Sequence, residues 1–231
     1  MTINVLSNAR VYGCACKQDR TDKLLTRIRN LGIADWKIAQ ERPGNPNEYG
    51  KVVLDPPSRR FRHQLTVETD RPFMWLEDDA DIPKNFSELW QPYNHSLPHN
   101  WKIAVIGWGL LLEDDAVRWK PVNEFWCQTY DGHPQWGAFH GLQCAIVNAG
   151  EWRLELAKGK FRCDSGLANA MRDIGIEDDL YLSRTILVGT DDHLTTFGAN
   201  VITYPKLTKP RLFSHNQHAQ TGNGYSPIEG M

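Results

Sequence analysis

The chain has 231 residues, of which 41% are hydrophobic and 23% are charged, and its formal net charge is -2. This composition predicts an ordinary globular protein with a substantial core. It excludes a chain that is basic throughout and binds polyanions through its total charge. Five scattered cysteines without a C-x-x-C pair argue against a structural zinc site and predict buried free thiols in a reducing compartment.

A strand and a helix open the chain. The stretch "RVYGCAC" predicts the strand, and "QDRTDKLLTRIRNLGI" predicts a helix that ends at Gly32, because its apolar residues recur at helical spacing. A second strand is predicted at "ADWKIAQ". The stretches "ERPGNPNEYG" and "DPPSRRFRHQ" are predicted to be loops, since they are rich in Pro, Gly and Asn.

The rest of the chain continues to alternate between strands and helices. Strands are predicted at "RPFMWL", "WKIAVIGW", the apolar part of "HGLQCAIVNAG" and "ANVITYP". Helices are predicted at "PKNFSELWQPYNHSL" from Pro83, in the segment through Leu154 and Leu156, and at "DSGLANAMRDIG" and "EDDLYLSRTIL". The last two form separate helices or one helix broken at Gly175. This order predicts a single α/β domain over 1–231, with a mostly parallel central sheet flanked by helices.

The triplet Glu-Asp-Asp occurs three times, and its setting differs each time. Glu77–Asp79 and Asp81 follow an apolar strand directly, where open α/β sheets bind ligands, and carboxylate oxygens there suit a divalent cation on a diphosphate. A solvated turn in which Asp81 caps the next helix explains the same residues equally well. Glu113–Asp115 follow the glycines of "GWGLL" and are predicted to form an exposed loop. Glu177–Asp179 lie at a predicted helix start, where carboxylates also favour the helix dipole.

The order of these motifs resembles the GT-A glycosyltransferases, most closely the lipooligosaccharide and collagen galactosyltransferase type. The similar features are the "D-R" turn before a helix ending "LGI", the strand ending "LEDDA", the "W-x-I" strand, and the glycine-histidine stretch before "CAIVNAGEWRLEL". The resemblance covers most of the chain, from about Arg10 to about His215. It implies a GT-A-like, Rossmann-like fold and a cytoplasmic enzyme, in bacteria or in a phage-infected host. The absence of a signal-peptide pattern and of an apolar run long enough for a membrane span agrees with that location.

The resemblance also implies a donor site. A nucleotide-diphosphate sugar, UDP-linked by expectation, would bind with Mn²⁺ or Mg²⁺ held by Asp79 and by His215 near the C-terminus. Asp81 offers an alternative D-x-D pair with Asp79. The remaining donor contacts implied are Glu77, Asp78 and Arg20, together with Lys209 and Arg211, which lie in a stretch without acidic residues and would neutralise the departing diphosphate.

Two aspartates compete for the role of general base in an inverting transfer. Asp178 lies in "EDDLYLSR", which resembles the E-D-x-x-L-x-x-R motif of many inverting GT-A enzymes. Asp164 in "RCDSGL" resembles an aspartate that the galactosyltransferase type places after a helix. The resemblance favours Asp178 and leaves Asp164 open.

The acceptor is expected to be a glycan or a hydroxymethylated DNA base, and no obligate protein partner is predicted. The run Arg59, Arg60, Arg62 and His63 is predicted to lie in a loop that could contact an anionic acceptor. Trp119, Trp126 and Trp136 are predicted to form an aromatic acceptor wall or a satellite core. Two other classes remain open: a metal-dependent phosphoesterase or nuclease, and a binding module without turnover.

Overall fold

A computed structural model describes residues 5–15, 18–40, 56–108, 119–129, 142–161, 163 and 166–190. Its main feature is an eight-stranded sheet, beside which two short strands form a separate ribbon. The strands of the sheet are β1 Arg10–Ala15, β2 Trp36–Gln40, β3 Phe73–Glu77, β5 Ile103–Gly107, β6 Trp119–Pro121, β7 Trp126–Thr129, β8 Cys144–Val147 and β9 Leu180–Ser183. The ribbon pairs β4, Ala80–Asp81, with β10, Gly189–Thr190, in antiparallel fashion.

The sheet is mixed, with the strand order β2-β1-β3-β8-β5-β9-β7-β6. Three of its pairings are parallel: β1 with β2, β1 with β3, and β5 with β9. The other four are antiparallel, because β8 and β7 run against their neighbours. The α/β class is therefore confirmed, whereas the expectation of a mostly parallel sheet is not, because four of the seven pairings are antiparallel.

Helices cover both faces of the sheet. They are α1 Gln18–Ile28, α2 Pro56–Leu65, α3 Phe86–Ser96, α4 Trp152–Lys158 and α5 Leu167–Asp173, with single 3-10 turns at Val5–Asn8, Arg29–Leu31 and Glu177–Asp179. α1 and α3 pack on the face that carries Met74 and Ile146. α2, α4 and α5 pack on the face that carries Trp75 and Ala145. Successive apolar side chains of a strand point to opposite faces of the sheet, so the one sheet contributes to two hydrophobic cores.

Several predicted elements are confirmed, and their ends follow from local chemistry. β1, α1, β2, β3, β5 and β8 lie where the sequence predicts them. Gly32 follows the turn after α1 with a φ of 67°, a left-handed value that suits glycine. α3 begins at Phe86 after Asn85, so Asp81 is not its cap. The described cysteines, Cys14, Cys127, Cys144 and Cys163, are buried free thiols as predicted.

Two predictions about elements are wrong. "DPPSRRFRHQ" is not a loop, because Pro56–Leu65 form the helix α2, whose apolar residues Phe61 and Leu65 enter the core. "EDDLYLSRTIL" is not a helix: after Gly175, whose φ is 70°, a 3-10 turn leads into the fully buried strand β9. The predicted strand "ANVITYP" lies outside the described residues. Among the helices that the structure describes, none is long and apolar enough to cross a membrane.

Candidate functional site

The first Glu-Asp-Asp run lies at the edge of the sheet where the parallel strands end. β1, β3, β5 and β9 all point toward this edge, which we call the carboxyl edge. Glu77 is the last residue of β3, and its backbone N–H donates to the carbonyl of Gln143 at 3.0 Å. Asp78 and Asp79 form the turn between β3 and β4. The sequence prediction that these carboxylates follow a strand end is confirmed.

Glu77 and Asp78 contact opposite faces of the sheet. The thiol of Cys163 lies 3.8 Å from Glu77 Oε1, on the face covered by α2 and α5. Asp78 instead accepts a hydrogen bond from Arg20 Nη1 of α1 at 2.9 Å, on the other face. Successive side chains of a strand alternate between faces, and the alternation persists into the first residue of the turn. The acidic run therefore divides into two environments and does not present one patch.

Asp79 is the most perturbed acid of the cluster. Its Oδ1 atom is fully buried and has no hydrogen-bond partner among the described residues. Burial first, and the neighbouring Asp78 carboxylate second, raise the pKa of Asp79 to about 6, while Arg20 and Arg27 act in the opposite direction. A buried carboxylate oxygen without a donor is costly unless a proton or a cation satisfies it.

α1 holds the acidic turn in place through one face of the helix. Arg20 binds Asp78, Arg27 Nη1 donates to the carbonyl of Ala80 at 3.0 Å, and Asn30 Nδ2 donates to the carbonyl of Ile82 at 2.9 Å. Arg27 Nε also lies 3.6 Å from Asp81 Oδ1. Seven residues along an α-helix return to nearly the same side, so Arg20 and Arg27 reach the same segment. Asn30 reaches it from the 3-10 turn that follows α1. The fold therefore fixes Asp79 between two anchored neighbours.

On the side of the sheet that Glu77 faces, the contact with Glu77 is held in place by Ser58, in the first turn of α2. The Ser58 hydroxyl accepts a hydrogen bond from the backbone N–H of Cys163 at 2.9 Å and lies 3.6 Å from its thiol. Ser58 is fully buried. This contact joins α2, the segment before α5, and the end of β3 at the carboxyl edge.

Asp178 lies at the other edge of the sheet, which we call the amino edge. Phe73, Val147, Ile103 and Leu180 form one row across four strands, and Asp178 precedes that row. Asp79 lies beyond the far end of β3. The two aspartates are separated by three strand spacings of about 4.8 Å across the sheet and by about six residues of about 3.3 Å along it, which places them roughly 25 Å apart. The prediction that both serve one active site does not fit this placement.

The third Glu-Asp-Asp run has a structural environment of its own. Asp179 pairs with Lys102 and accepts a hydrogen bond from Asn100 Nδ2 at 2.6 Å. Tyr181 in turn donates to Asn100 Oδ1 at 2.9 Å. These contacts fasten the 3-10 turn to the start of β5, and the side chain of Asp178 is exposed beside them. The described contacts give Asp179 a structural role at the start of β9, and the catalytic role that the resemblance implies for Asp178 stays a prediction.

The remaining predicted site residues lie outside the described residues. They are Asp164, Lys209, Arg211, His215 and the second "LEDDA", Leu112–Ala116. Within the described residues, no group of three His, Cys, Asp or Glu side chains could hold a metal ion. Asp79 nevertheless fits as one ligand of a divalent cation, because its buried Oδ1 needs a positive partner and hard cations prefer carboxylate oxygen.

Two surface predictions change in the structure. Trp126 is fully buried in β7, and its Nε1 donates to the carbonyl of Tyr93 at 3.0 Å, so this tryptophan belongs to the core and not to an acceptor wall. The arginine run lies on α2 and not in a loop. The sequence prediction also missed Arg27, Asn30 and Ser58. Arg20, Arg27 and Asn30 recur along α1 and the turn after it. Their spacing is the sequence signal that could have identified Arg27 and Asn30.

Comparison of the chain with protein-family models and with curated proteins finds no match. The function is therefore argued from the residues at the carboxyl edge.

Proposed function

We propose that the chain is a metal-dependent glycosyltransferase that binds a nucleotide-diphosphate sugar, with UDP as the expected nucleotide, at the carboxyl edge of its sheet. The observation that carries this proposal is Asp79 Oδ1, a buried carboxylate oxygen without a described partner, which lies next to an Arg-bound aspartate at a strand end. The resemblance of "FMWLEDDA" and its neighbouring motifs to GT-A enzymes supports the same site.

The described residues would act on the donor as follows. Asp79 binds the cation, which in such sites neutralises the diphosphate and stabilises it as it leaves. Arg20 holds Asp78 and keeps a positive charge beside Asp79. Glu77, which faces α2, is assigned to a donor hydroxyl such as that of the ribose. Asp81 is engaged by Arg27, so we favour Glu77 and Asp79 over Asp79 and Asp81 as the D-x-D-like pair.

The acceptor hydroxyl needs a base near the same edge. Of the two aspartates that the sequence left open, we favour Asp164 over Asp178. Asp178 lies at the amino edge, whereas Cys163, the chain neighbour of Asp164, contacts Glu77. A base within reach of the acceptor takes the proton as the hydroxyl attacks the anomeric carbon in line, and the nucleoside diphosphate leaves.

Binding tests the proposal most directly. UDP- and GDP-sugars are added to the protein with Mn²⁺ or with EDTA, and the melting temperature is measured. A ligand that binds the native state raises the melting temperature, by mass action. We expect a Mn²⁺-dependent increase that Asp79→Ala removes and that Asp178→Ala, an exposed carboxylate at the amino edge, retains. No increase with any nucleotide sugar, or equal loss in both variants, contradicts the proposal.

A further inference from the structure

One helix of the structure presents a concentrated positive charge to solvent. α2 contains three arginines and one histidine and no acidic residue. Arg59 and His63 are exposed, and Arg60 and Arg62 are half-buried at the sides of the same helix. Exposed lysines of the neighbouring segment extend the charge. We call this set the basic strip, and its members are Arg59, Arg60, Arg62, His63, Lys158 and Lys160.

The two halves of the basic strip are held side by side. α2 and the segment that begins with α4 run in opposite directions and are joined at three levels. Arg153 donates to the carbonyl of Gln64 at 2.8 Å, Arg62 Nη1 donates to the carbonyl of Gly159 at 3.1 Å, and Cys163 donates to Ser58. Because Gly159 lies between Lys158 and Lys160, its contact with Arg62 places both lysines beside α2.

Among the described residues, Glu155 is an acidic side chain that pairs with the strip. Glu155 lies 2.7 Å from Lys158, but both side chains are mostly exposed, and such a pair contributes little. The whole chain carries a net charge of -2. The strip is therefore a local feature that total charge does not reveal, and local patches govern the association of a protein with polyanions.

The strip reaches the candidate site. Ser58 lies one residue before Arg59, and its hydroxyl holds Cys163, whose thiol is in contact with Glu77. The first turn of α2 therefore lies at the carboxyl edge, and the helix leads away from it toward the amino edge. An extended anion on the strip would have one end at the acidic turn of β3.

We propose that the basic strip binds the phosphate backbone of a nucleic acid and guides it to the carboxyl edge. The inference that a nucleic acid is the acceptor rests on the proposed function. The binding of nucleic acid to the strip requires neither donor nor metal.

Two features favour a nucleic acid over other anions. α2 has ten residues, so it extends roughly 15 Å, a length over which one DNA strand presents about four phosphates. Arginine also matches phosphate oxygens in a bidentate manner. A membrane surface fits less well, because the apolar residues of α2, Phe61 and Leu65, are fully buried in the core and cannot enter a bilayer.

The experiment measures the affinity of the full chain for a short fluorescein-labelled DNA by anisotropy, in EDTA and without nucleotide sugar, over a series of NaCl concentrations. The test variant is Arg59→Gln/Lys160→Gln, which removes two exposed charges of the strip. The matched control is Lys23→Gln/Arg29→Gln, which removes two exposed charges on the opposite face of the sheet. Melting temperatures of all three proteins verify that the fold is intact. Heparin and phosphatidylserine vesicles serve as the other anions.

We expect the protein to bind DNA, with log K falling as log salt concentration rises. The slope should be less steep by about 2 in the strip variant and unchanged in the control, since each phosphate contact contributes about 0.9 to that slope. Absence of DNA binding, equal losses in both variants, or tighter strip-dependent binding of heparin or vesicles overturns the inference. Strip-dependent DNA binding without stabilisation by any nucleotide sugar supports the surface and rejects the glycosyltransferase. Nucleotide-sugar binding without DNA binding rejects only the nucleic-acid surface.

Discussion

Asp79 is an acid in a place where a negative charge is unfavourable. Its Oδ1 is buried without a described partner, and its pKa is raised to about 6 by burial first and by Asp78 second. An ordinary aspartate has a pKa near 4, so between about pH 4 and about pH 6 the folded metal-free protein holds a proton that the unfolded chain has already lost. Ionising Asp79 therefore costs free energy in the folded state, and a bound cation would offset that cost.

The stability of the metal-free protein should depend on this residue and on pH. The folded-state pKa lies above the unfolded value, so Asp79 lowers stability progressively as the pH rises from about 4 to about 6 and by a constant amount above that. Asp79→Asn keeps the shape and removes the charge. In EDTA at pH 7 it should stabilise the protein by on the order of 2 kcal/mol, and this gain should vanish near pH 4. Urea unfolding at a series of pH values measures the difference.

Asp70→Asn is the control for that measurement, because it removes the same charge from an exposed residue. The surface change should alter stability by less than about 0.5 kcal/mol at every pH. A pH-independent effect of Asp79→Asn, or a loss of stability at pH 7, would mean that a partner outside the described residues satisfies the Asp79 carboxylate.

α1 is the element that determines where the acidic turn lies. Arg27 contributes a hydrogen bond to Ala80 and an ion pair with Asp81, and it lies within the field of Asp79. We expect Arg27→Ala to lower the free energy of unfolding by about 1–3 kcal/mol, the range for hydrogen bonds to charged groups. It should also weaken Mn²⁺-dependent donor binding. Arg29→Ala, in an exposed position directly after α1, is the matched control and should change neither quantity in urea unfolding and isothermal titration.

One buried arginine, Arg153 of α4, binds the end of α2 and the turn that follows it. Arg153 donates to the carbonyls of Gln64, Val67, Glu68 and Arg71, and its guanidinium carbon lies 4.7 Å from the centre of the Phe73 ring. Glu68 has a φ of 49°, a left-handed value that is unfavourable for a residue with a side chain. Arg153 therefore donates to four carbonyls at the end of α2 and in the strained turn that follows it.

Arg153→Met keeps the approximate volume of the side chain and removes every donor. Four carbonyls would then lose a hydrogen bond in a largely buried place, and those of Gln64 and Glu68 would keep one from a backbone N–H. We expect a loss of about 3 kcal/mol in urea unfolding. Arg172→Met, on an exposed position of α5, should change stability by less than about 0.5 kcal/mol. A small effect at Arg153 would show that water satisfies the turn as well as the guanidinium does.

The elements that the sequence predicted correctly are those with an unambiguous apolar period. α1 has Leu24 and Ile28 on one face, and β3 is apolar from Phe73 to Leu76 because both of its faces are buried there. α2 was missed because its two prolines and its arginines indicate a loop, although Phe61 and Leu65 follow helical spacing. β9 was missed because the three acids before it are typical of a helix start, and a buried strand of four residues is too short to correct that impression.

The candidate site was predictable only in part, for a similar reason. The position of Glu77–Asp79 after a strand is a local property, and it was predicted from "FMWLEDD". The separation of Asp178 from Asp79 depends on the strand order, because β9 lies beside β5 and begins at the amino edge. A single sequence does not encode the strand order in any local pattern. The contact of Cys163 with Glu77 is likewise a consequence of tertiary packing.

The two acidic clusters that the structure describes lie at opposite ends of the strands. The carboxyl edge holds Asp79 in a cradle anchored by α1, and the amino edge holds Asp179 in a network with Lys102 and Asn100. The intervening sheet is buried on both faces, so no side chain of the 3-10 turn at Glu177–Asp179 reaches the turn at Asp79. Chemistry at one edge should therefore be insensitive to exposed carboxylates at the other.

This separation gives a prediction that distinguishes the two aspartates proposed as the base. Asp178→Asn should leave turnover within about twofold of the wild type, whereas Asp164→Asn should reduce kcat by about 10²–10⁴-fold, the usual contribution of a positioned general base. Neither variant should change donor affinity, because the base contacts the acceptor and not the nucleotide. The measurement is transfer from the nucleotide sugar found in the thermal screen to a DNA acceptor or a glycan, with donor affinity determined separately by titration. If Asp178→Asn abolishes turnover in a protein that still folds and still binds donor, the acceptor must reach the amino edge, and the assignment of the reaction to the carboxyl edge is wrong.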